Sequence, residues 1–212
     1  MRYSFKNEMD VDGILIGNEK PCYIIAEIGI NHNGDIETAK KLIKVAKDSG
    51  CDAVKFQKRN PDVCVPEHQK SVMRDTPWGK MTYLDYKYKV EFDGRQYDEI
   101  DRYCNDKKIE WSASPWDLDS LEFLNQYDIP FIIIPSALLT DIELIKESTK
   151  TGKKIIISTG MSTIEEVDDA VNIILKTNSK DRFIIKNKNG NFTKTNDIWL
   201  AEFYEDGKLQ VQ

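Results

Sequence analysis

The sequence predicts an α/β fold: a partial (β/α) barrel of the TIM type with five to six parallel strands, followed by a C-terminal β-hairpin tail. Three observations lead there. Between residues 21 and 178, short apolar runs alternate with amphipathic stretches, one strand–helix unit after another. Two of the helical stretches open on capping-box spacing. Residues 179–212 then lose the alternation and carry the turn signals Asn189-Gly190 and Asp206-Gly207 between β-rich runs.

The elements follow in chain order. Residues 1–20 form a leader with a short hairpin at "GILIGNEKP". The strand "CYIIAEIGI" leads to a helix in "DIETAKKLIKVAKDSG", where Ile36, Ala39, Leu42, Ile43 and Ala46 share one face and Gly50 suits the stop. "DAVKFQ" is the second strand. A long polar connection from Lys58 to Phe92 precedes a helix around "RQYDEIDRYCNDKK". "IEWSAS" leads to "DLDSLEFLNQY", and "PFIIIP" to "TDIELIKEST", with Thr140 and Glu143 spaced as a capping box. "KKIIIST" leads to "STIEEVDDAVNIILK", where Ser162 and Glu165 repeat that spacing. A full barrel of eight units takes about 250 residues. This sequence supplies five units, or six if "RFIIK" is a further strand.

Composition narrows the function classes. With 212 residues, 40% hydrophobic and 31% charged, the chain suits a globular domain with a substantial core. A net charge of −6 gives no nucleic-acid footprint. No apolar run approaches the ~18 to 20 residues of a membrane span. Cys22, Cys51, Cys64 and Cys104 form neither a C-x-x-C pair nor a metal-ligand spacing, as expected of reduced thiols in the cytoplasm.

Side chains alternate faces along a strand. If the helix-facing set is apolar, Ile24, Ala26 and Ile28 point outward, and Ile25, Glu27 and Gly29 inward. The same rule turns Lys55 and Gln57 inward beside outward Val54 and Phe56, and Ser112 and Ser114 inward beside Trp111 and Ala113. It turns Ile156 and Ser158 inward beside Ile155 and Ile157. These strands therefore deliver polar groups near their C-terminal ends, where such barrels keep their sites. The fourth strand departs: its inward position level with Lys55 is Ile133, although Ser136 follows just beyond Pro135. Lys55 and the hydroxyls suit a phosphate or carboxylate, while Glu27, Asn31, Asn33 and Gln57 suit a polyhydroxylated ligand. Trp116 and Phe123 read as core, and Asp117 and Asp119 as the charged start of a helix.

Five ordered motifs, "AEIGINHNGD", "AVKFQ", "SASPWDLDSLEFL", "IPSALLTD" and "IISTGMSTIEEV", resemble the N-terminal barrel segments of sialic acid synthases, from about Pro21 to Leu175. That group makes N-acetylneuraminic, pseudaminic and legionaminic acids. The resemblance implies a C–C bond-forming transferase that condenses phosphoenolpyruvate with an N-acetylated amino sugar and releases phosphate. It implies a catalytic, sugar-binding role for Glu27, and phosphoenolpyruvate contacts from Lys55, Ser114, Ser136 and Ser158. It also implies a divalent metal, Mn or Mg, held by two histidines of later strands.

Three departures stand beside it. Family members usually carry lysine where this chain has Ile133. The only histidines are His32 and His68, and neither matches the metal ligands, so no metal site is expected. The last barrel strands and a C-terminal domain of the family have no counterpart, and the tail aligns with no family segment. Two readings therefore stay open. One is a working synthase with an altered site. The other is a truncated non-catalytic descendant, or a gene fragment, that binds sugar phosphates or acts as an interaction module. Unclosed sheet edges further lead us to expect homo-oligomers.

Overall fold

The computed structural model describes residues 8–11, 13–17, 20–177, 183–186, 192–200, 203–205 and 208–210. The turn dipeptides of the tail and half of the leader lie outside them. The chain is α/β with parallel strands and divides into two units, residues 24–127 and residues 1–23 with 128–212.

The first unit carries a three-stranded parallel sheet, β1 (Ile25–Gly29), β2 (Ala53–Lys58) and β3 (Glu110–Pro115), in that order. Helix α1 (Ile36–Asp48) starts where the Asp35 carboxylate accepts from the Thr38 N–H at 3.0 Å, and Gly50 (φ +83°) turns the chain after it. Its buried Ala39, Ile43 and Ala46 are the face expected from the periodicity. Helix α2 (Gly94–Lys107) has a full capping box between Asp93 and Gln96. Helix α3 (Leu118–Leu124) is capped by Asp117, which accepts from the Ser120 N–H at 2.7 Å. Val54, Phe56, Trp111 and Ala113 are buried, as their outward assignment requires. Ile24 is not: it precedes the strand and is 50% exposed.

The connection from Lys58 to Phe92 is not merely polar loop. It folds into two short helices (Pro61–Cys64 and Glu67–Lys70), a hairpin of Met73–Thr76 with Gly79–Thr82, and a helix over Tyr83–Val90. These pieces are too short for periodicity to reveal. Local contacts hold them, including the Arg74 guanidinium 4.2 Å from the centre of the Tyr83 ring.

The second unit is built on β4 (Phe131–Ile134) and β5 (Lys154–Ile157), parallel and in register from Phe131↔Lys154 to Ile134↔Ile157. Helix α4 (Ile142–Lys150) is capped by Asp141, not Thr140, through a 3.0 Å bond from the Leu144 N–H. The box of helix α5 (Ile164–Thr177) pairs Thr163 with Glu166, one residue beyond the expected pair. In both places the neighbouring residue offers an equally good cap, and spacing alone does not choose between them.

The leader hairpin pairs Glu8–Val11 with Ile14–Gly17, earlier than expected, with Gly13 at φ +83° serving its turn. In the tail, Phe183–Lys186 runs antiparallel to Phe192–Leu200. The strand lying parallel to β5 is thus Phe192–Leu200, through Ile198↔Ile155 to Leu200↔Ile157, rather than "RFIIK". Phe203–Glu205 and Lys208–Gln210 form a separate antiparallel pair.

Candidate functional site

Register assembles the site of the first unit. Glu27 on β1 lies opposite Lys55 on β2, which lies opposite Ser112 on β3, and one step on Gln57 lies opposite Ser114. Adjacent in-register side chains on one sheet face are near neighbours. Lys55 Nζ forms an ion pair with Glu27 Oε2. The pair is lopsided in exposure: the Lys55 side chain is 12% exposed and that of Glu27 54%. The lysine charge is therefore matched within the fold while the carboxylate still faces outward.

A break in the β1–β2 register between Glu27 and Gly29 turns the next residues. Gly29 takes φ +56°, and a Cβ there would lie 3.2 Å from Glu27 Oε1 and 3.4 Å from Gln57 Nε2. A side chain there would crowd both, so the glycine lets the Glu27 carboxylate and the Gln57 amide close in over the turn.

The loop that follows uses "NHNG" to hold its own fold. His32 is 2% exposed, stacked on Phe92 at 3.9 Å between ring centres. Its Nδ1 accepts from the Gly34 N–H at 3.1 Å, and the Gly29 backbone accepts from the ring. Burial pushes the imidazole down to about 4, so it is neutral at pH 7. Both nitrogens serve the loop. Gly34 (φ +72°) is required by close approach, since a Cβ would stand 2.0 Å from the Lys89 carbonyl oxygen. Asn31 and Asn33 are exposed in the same loop, Asn33 with φ +52°.

Ser114 is fully buried, and its Oγ has no partner among the described residues. Ser136 and Ser158 belong to the second unit. Ser136 opens a short 3-10 turn, Ser136–Leu138, and Ser158 follows β5 with its N–H donating to the Ile134 carbonyl at 3.0 Å. Ile133 and its register partner Ile156 are both buried. The structure thus brings together Glu27, Lys55 and Gln57, with Ser114 in register beside them.

A cluster just past the end of β2 went unforeseen. Arg59 is 7% exposed and lies with its guanidinium 4.0 Å from the centre of the Trp116 ring. Its Nη2 donates to Gln57 Oε1 at 2.6 Å. Glu91 Oε1 accepts from Lys58 Nζ at 2.9 Å and from the Arg59 N–H at 3.2 Å. The period of two that placed Lys55 and Gln57 on one face could have been carried on to Arg59. Nothing in the sequence signals Glu91, which comes from the long connection. A hollow of about 370 Å³ borders Lys58, Arg59, Glu91, Asp119 and Phe123, but neither Glu27, Lys55 nor Gln57 lines it. Lys58 and Glu91 pair with each other there, and Asp119 accepts from Asn60 at 2.8 Å.

The metal implied by the resemblance does not fit these residues. Among the described residues no group of three or more His, Cys, Asp or Glu could hold an ion, and the His32 nitrogens are engaged. Burial and the neighbouring Asp117 carboxylate push the Cys64 thiol up to about 12, which keeps it protonated and a poor ligand. Among the same residues no helix is long and apolar enough to cross a membrane.

Residues 42–204 match the NeuB family, beyond the motifs legible in the sequence and into the tail. An N,N'-diacetyllegionaminic acid synthase of Campylobacter jejuni is 36% identical over 163 residues, covering 76% of this chain and 49% of the relative. An N-acetylneuraminate-9-phosphate synthase of Homo sapiens is 34% identical over 176 residues, covering 81% and 48%. The chain therefore spans about half the length of these relatives. A crystal structure of N-acetylneuraminic acid synthetase from Leptospira borgpetersenii, in complex with citrate, aligns with a TM-score of 0.72 at 26% identity, covering 83% of this chain and 57% of that one. With the family match over most of its length and the site motifs in their strands, the chain belongs to the NeuB family.

Proposed function

We propose that this chain works in nonulosonic acid synthesis, in the condensation of phosphoenolpyruvate with an N-acetylated amino sugar, as a partial (β/α) barrel over residues 21–178 with a β-rich tail. The observation that carries this reading is the Glu27–Lys55 pair on adjacent parallel strands, in a chain of the NeuB family. Glu27 Oε1, Gln57 and the exposed Asn31 and Asn33 form the sugar side, where carboxylate and amide groups orient hydroxyls. Lys55 holds the Glu27 carboxylate in place, and an ammonium has three N–H donors, so those not spent on Glu27 are offered to an anionic ligand. Ser114, with its unsatisfied buried hydroxyl, is poised for a ligand oxygen. Ser136 and Ser158 are assigned to phosphoenolpyruvate by the resemblance alone. The described residues do not fit a metal.

Calorimetric titration of the full chain with phosphoenolpyruvate and with a panel of N-acetylated amino sugars tests this reading. We expect at least one sugar to bind, and Glu27→Gln to weaken it about tenfold or more. Sugar binding that is absent, or indifferent to Glu27→Gln, overturns the proposal.

A further inference from the structure

We infer that the hollow between the end of β2, the end of the long connection and the first turn of α3 binds a free α-amino acid with an apolar side chain. Its carboxylate meets Arg59 and Ser120, its ammonium meets Glu91, and its side chain packs on Phe123 and Pro61. The inference does not rest on the proposed function, since neither Glu27, Lys55 nor Gln57 lines this hollow.

Size and walls come first. A volume of about 370 Å³ lies within the range of small-molecule pockets, roughly 300 to 1,000 Å³. Phe123, Pro61 and Tyr88 supply apolar walls. The charged groups around them carry both signs, and their hydrogen bonds separate the spent from the unspent. Lys58 is spent. An ammonium has three N–H donors, and Nζ already lies 2.9 Å from Glu91 Oε1, 3.0 Å from the Phe92 carbonyl and 3.4 Å from the Arg59 carbonyl. Glu91 is only half spent. Both of its bonds use Oε1, and Oε2 has no partner among the described residues. Burial raises the Glu91 carboxyl even with Lys58 beside it, so this carboxylate is short of positive charge. Asp119 at the rim also accepts through one oxygen only, from Asn60.

Two buried groups that border the same hollow lack the opposite partner. Ser120 is 2% exposed and Arg59 7%, and neither Ser120 Oγ nor Arg59 Nη1 has a hydrogen bond among the described residues. Both residues are held in place. The Ser120 N–H is bound by Asp117 at 2.7 Å, and Arg59 lies on Trp116 with Nη2 spent on Gln57. Leaving such groups unpaired costs free energy, and a ligand carboxylate supplies an acceptor for both. A phosphate would do the same, but it offers nothing to Glu91 and adds negative charge beside Glu91, Asp93 and Asp119. A simple amine leaves Arg59 and Ser120 unpaired. A ligand with both charges a few bonds apart serves both sets, and the α-amino acid is the simplest of these.

The test uses the full chain and three ligands: L-phenylalanine, phenethylamine, which lacks the carboxylate, and 3-phenylpropanoate, which lacks the ammonium. Titration calorimetry gives the affinities, and backbone NMR shifts give the place. We expect L-phenylalanine to bind with shift changes centred on Glu91, Ser120 and Phe123. Each analogue should bind about tenfold or more weakly. Ser120→Ala should weaken L-phenylalanine about three- to tenfold without lowering stability, because the hydroxyl has no partner to lose. Arg59→Met should weaken L-phenylalanine about tenfold and leave phenethylamine unchanged; a residue that only shapes the hollow would weaken both. No saturable binding of L-phenylalanine up to about 10 mM overturns the inference. So do shift changes centred on Glu27 and Lys55, an analogue that binds as tightly as L-phenylalanine, or an L-phenylalanine affinity indifferent to Ser120→Ala. Should Arg59→Met not fold, Ser120→Ala and the two analogues decide alone.

Discussion

The two units use the middle of their parallel strands in opposite ways. In the first, the row across β1, β2 and β3 is Glu27, Lys55 and Ser112. In the second, the register pair of β4 and β5 picked out by the same alternation rule is Ile133 and Ile156, both buried. Apolar residues in such a row need only pack. Polar ones need partners, because an unmatched buried charge or hydroxyl costs free energy. The first unit supplies them with the Lys55–Glu27 pair, the Arg59–Gln57 bond, and a loop folded back through His32. A polar row is therefore recognisable not by its residues alone but by the supports built behind it.

Breaking the support should have the largest effect. Gly34→Ala places a methyl group against the Lys89 carbonyl at a backbone angle that disfavours side chains. It should cost about 4 kcal/mol of stability, and failure to fold at 37 °C is the expected limit. Denaturant unfolding at 25 °C measures it; a loss below about 1 kcal/mol would mean the loop does not pass where the structure puts it.

Acid should loosen the same support. An unfolded chain protonates His32 near pH 6.5, whereas in the fold burial holds it neutral down to about 4. The unfolded state thus binds the extra proton between those values, so stability is full above pH 6.5 and falls as pH drops toward 4, by roughly 3 kcal/mol. The Glu91 carboxyl, raised by burial, works in the opposite direction at the lower end of this range. Unfolding curves from pH 7 to pH 4 should be shallower against pH in His32→Phe than in the parent. Equal slopes would show that His32 is not buried as a neutral ring.

Writing a charge into the apolar row sharpens the contrast from the other side. Ile133→Lys should lose about 2 to 3 kcal/mol, since the position is buried and offers no carboxylate in register. It should also strengthen phosphoenolpyruvate binding about tenfold if this row faces the anion, as the resemblance implies. Calorimetry on the folded variant checks both halves. A stable variant with no gain in affinity would show that Ile133 faces elsewhere.

Much of this contrast was legible in the sequence because it rests on the period of two. That period placed Glu27, Lys55, Gln57 and Ser114 on one face and isolated Ile133 as the exception. It also put Val54, Phe56 and Trp111 in the core, where they are. It failed at Ile24, where alternation was extended past the end of a strand that begins at Ile25. The rest depends on contacts distant in sequence. Glu91 meets Lys58 from 33 residues away, and no local pattern announces such a pairing. Arg59 lies only two residues beyond Gln57, but its significance appears only once Trp116 and the amide oxygen are seen on either side of it.

The smallest effect belongs to Ser114. Its hydroxyl is buried and has no partner among the described residues, so Ser114→Ala should change stability by less than about 1 kcal/mol, in either direction. If the hydroxyl waits for a ligand oxygen, the same change should weaken phosphoenolpyruvate binding a few-fold, about 1 kcal/mol. A large stability loss with unaltered affinity would make Ser114 a structural hydroxyl only.

The most direct test of the account is a backbone NMR titration of the full chain with an N-acetylated amino sugar that binds it. The largest shift changes should gather on Glu27, Gly29, Asn31, Lys55 and Gln57, and Lys55→Ala should diminish them. Shift changes centred on the hollow beside Lys58 and Phe123, with Glu27 and Gln57 unmoved, would contradict it.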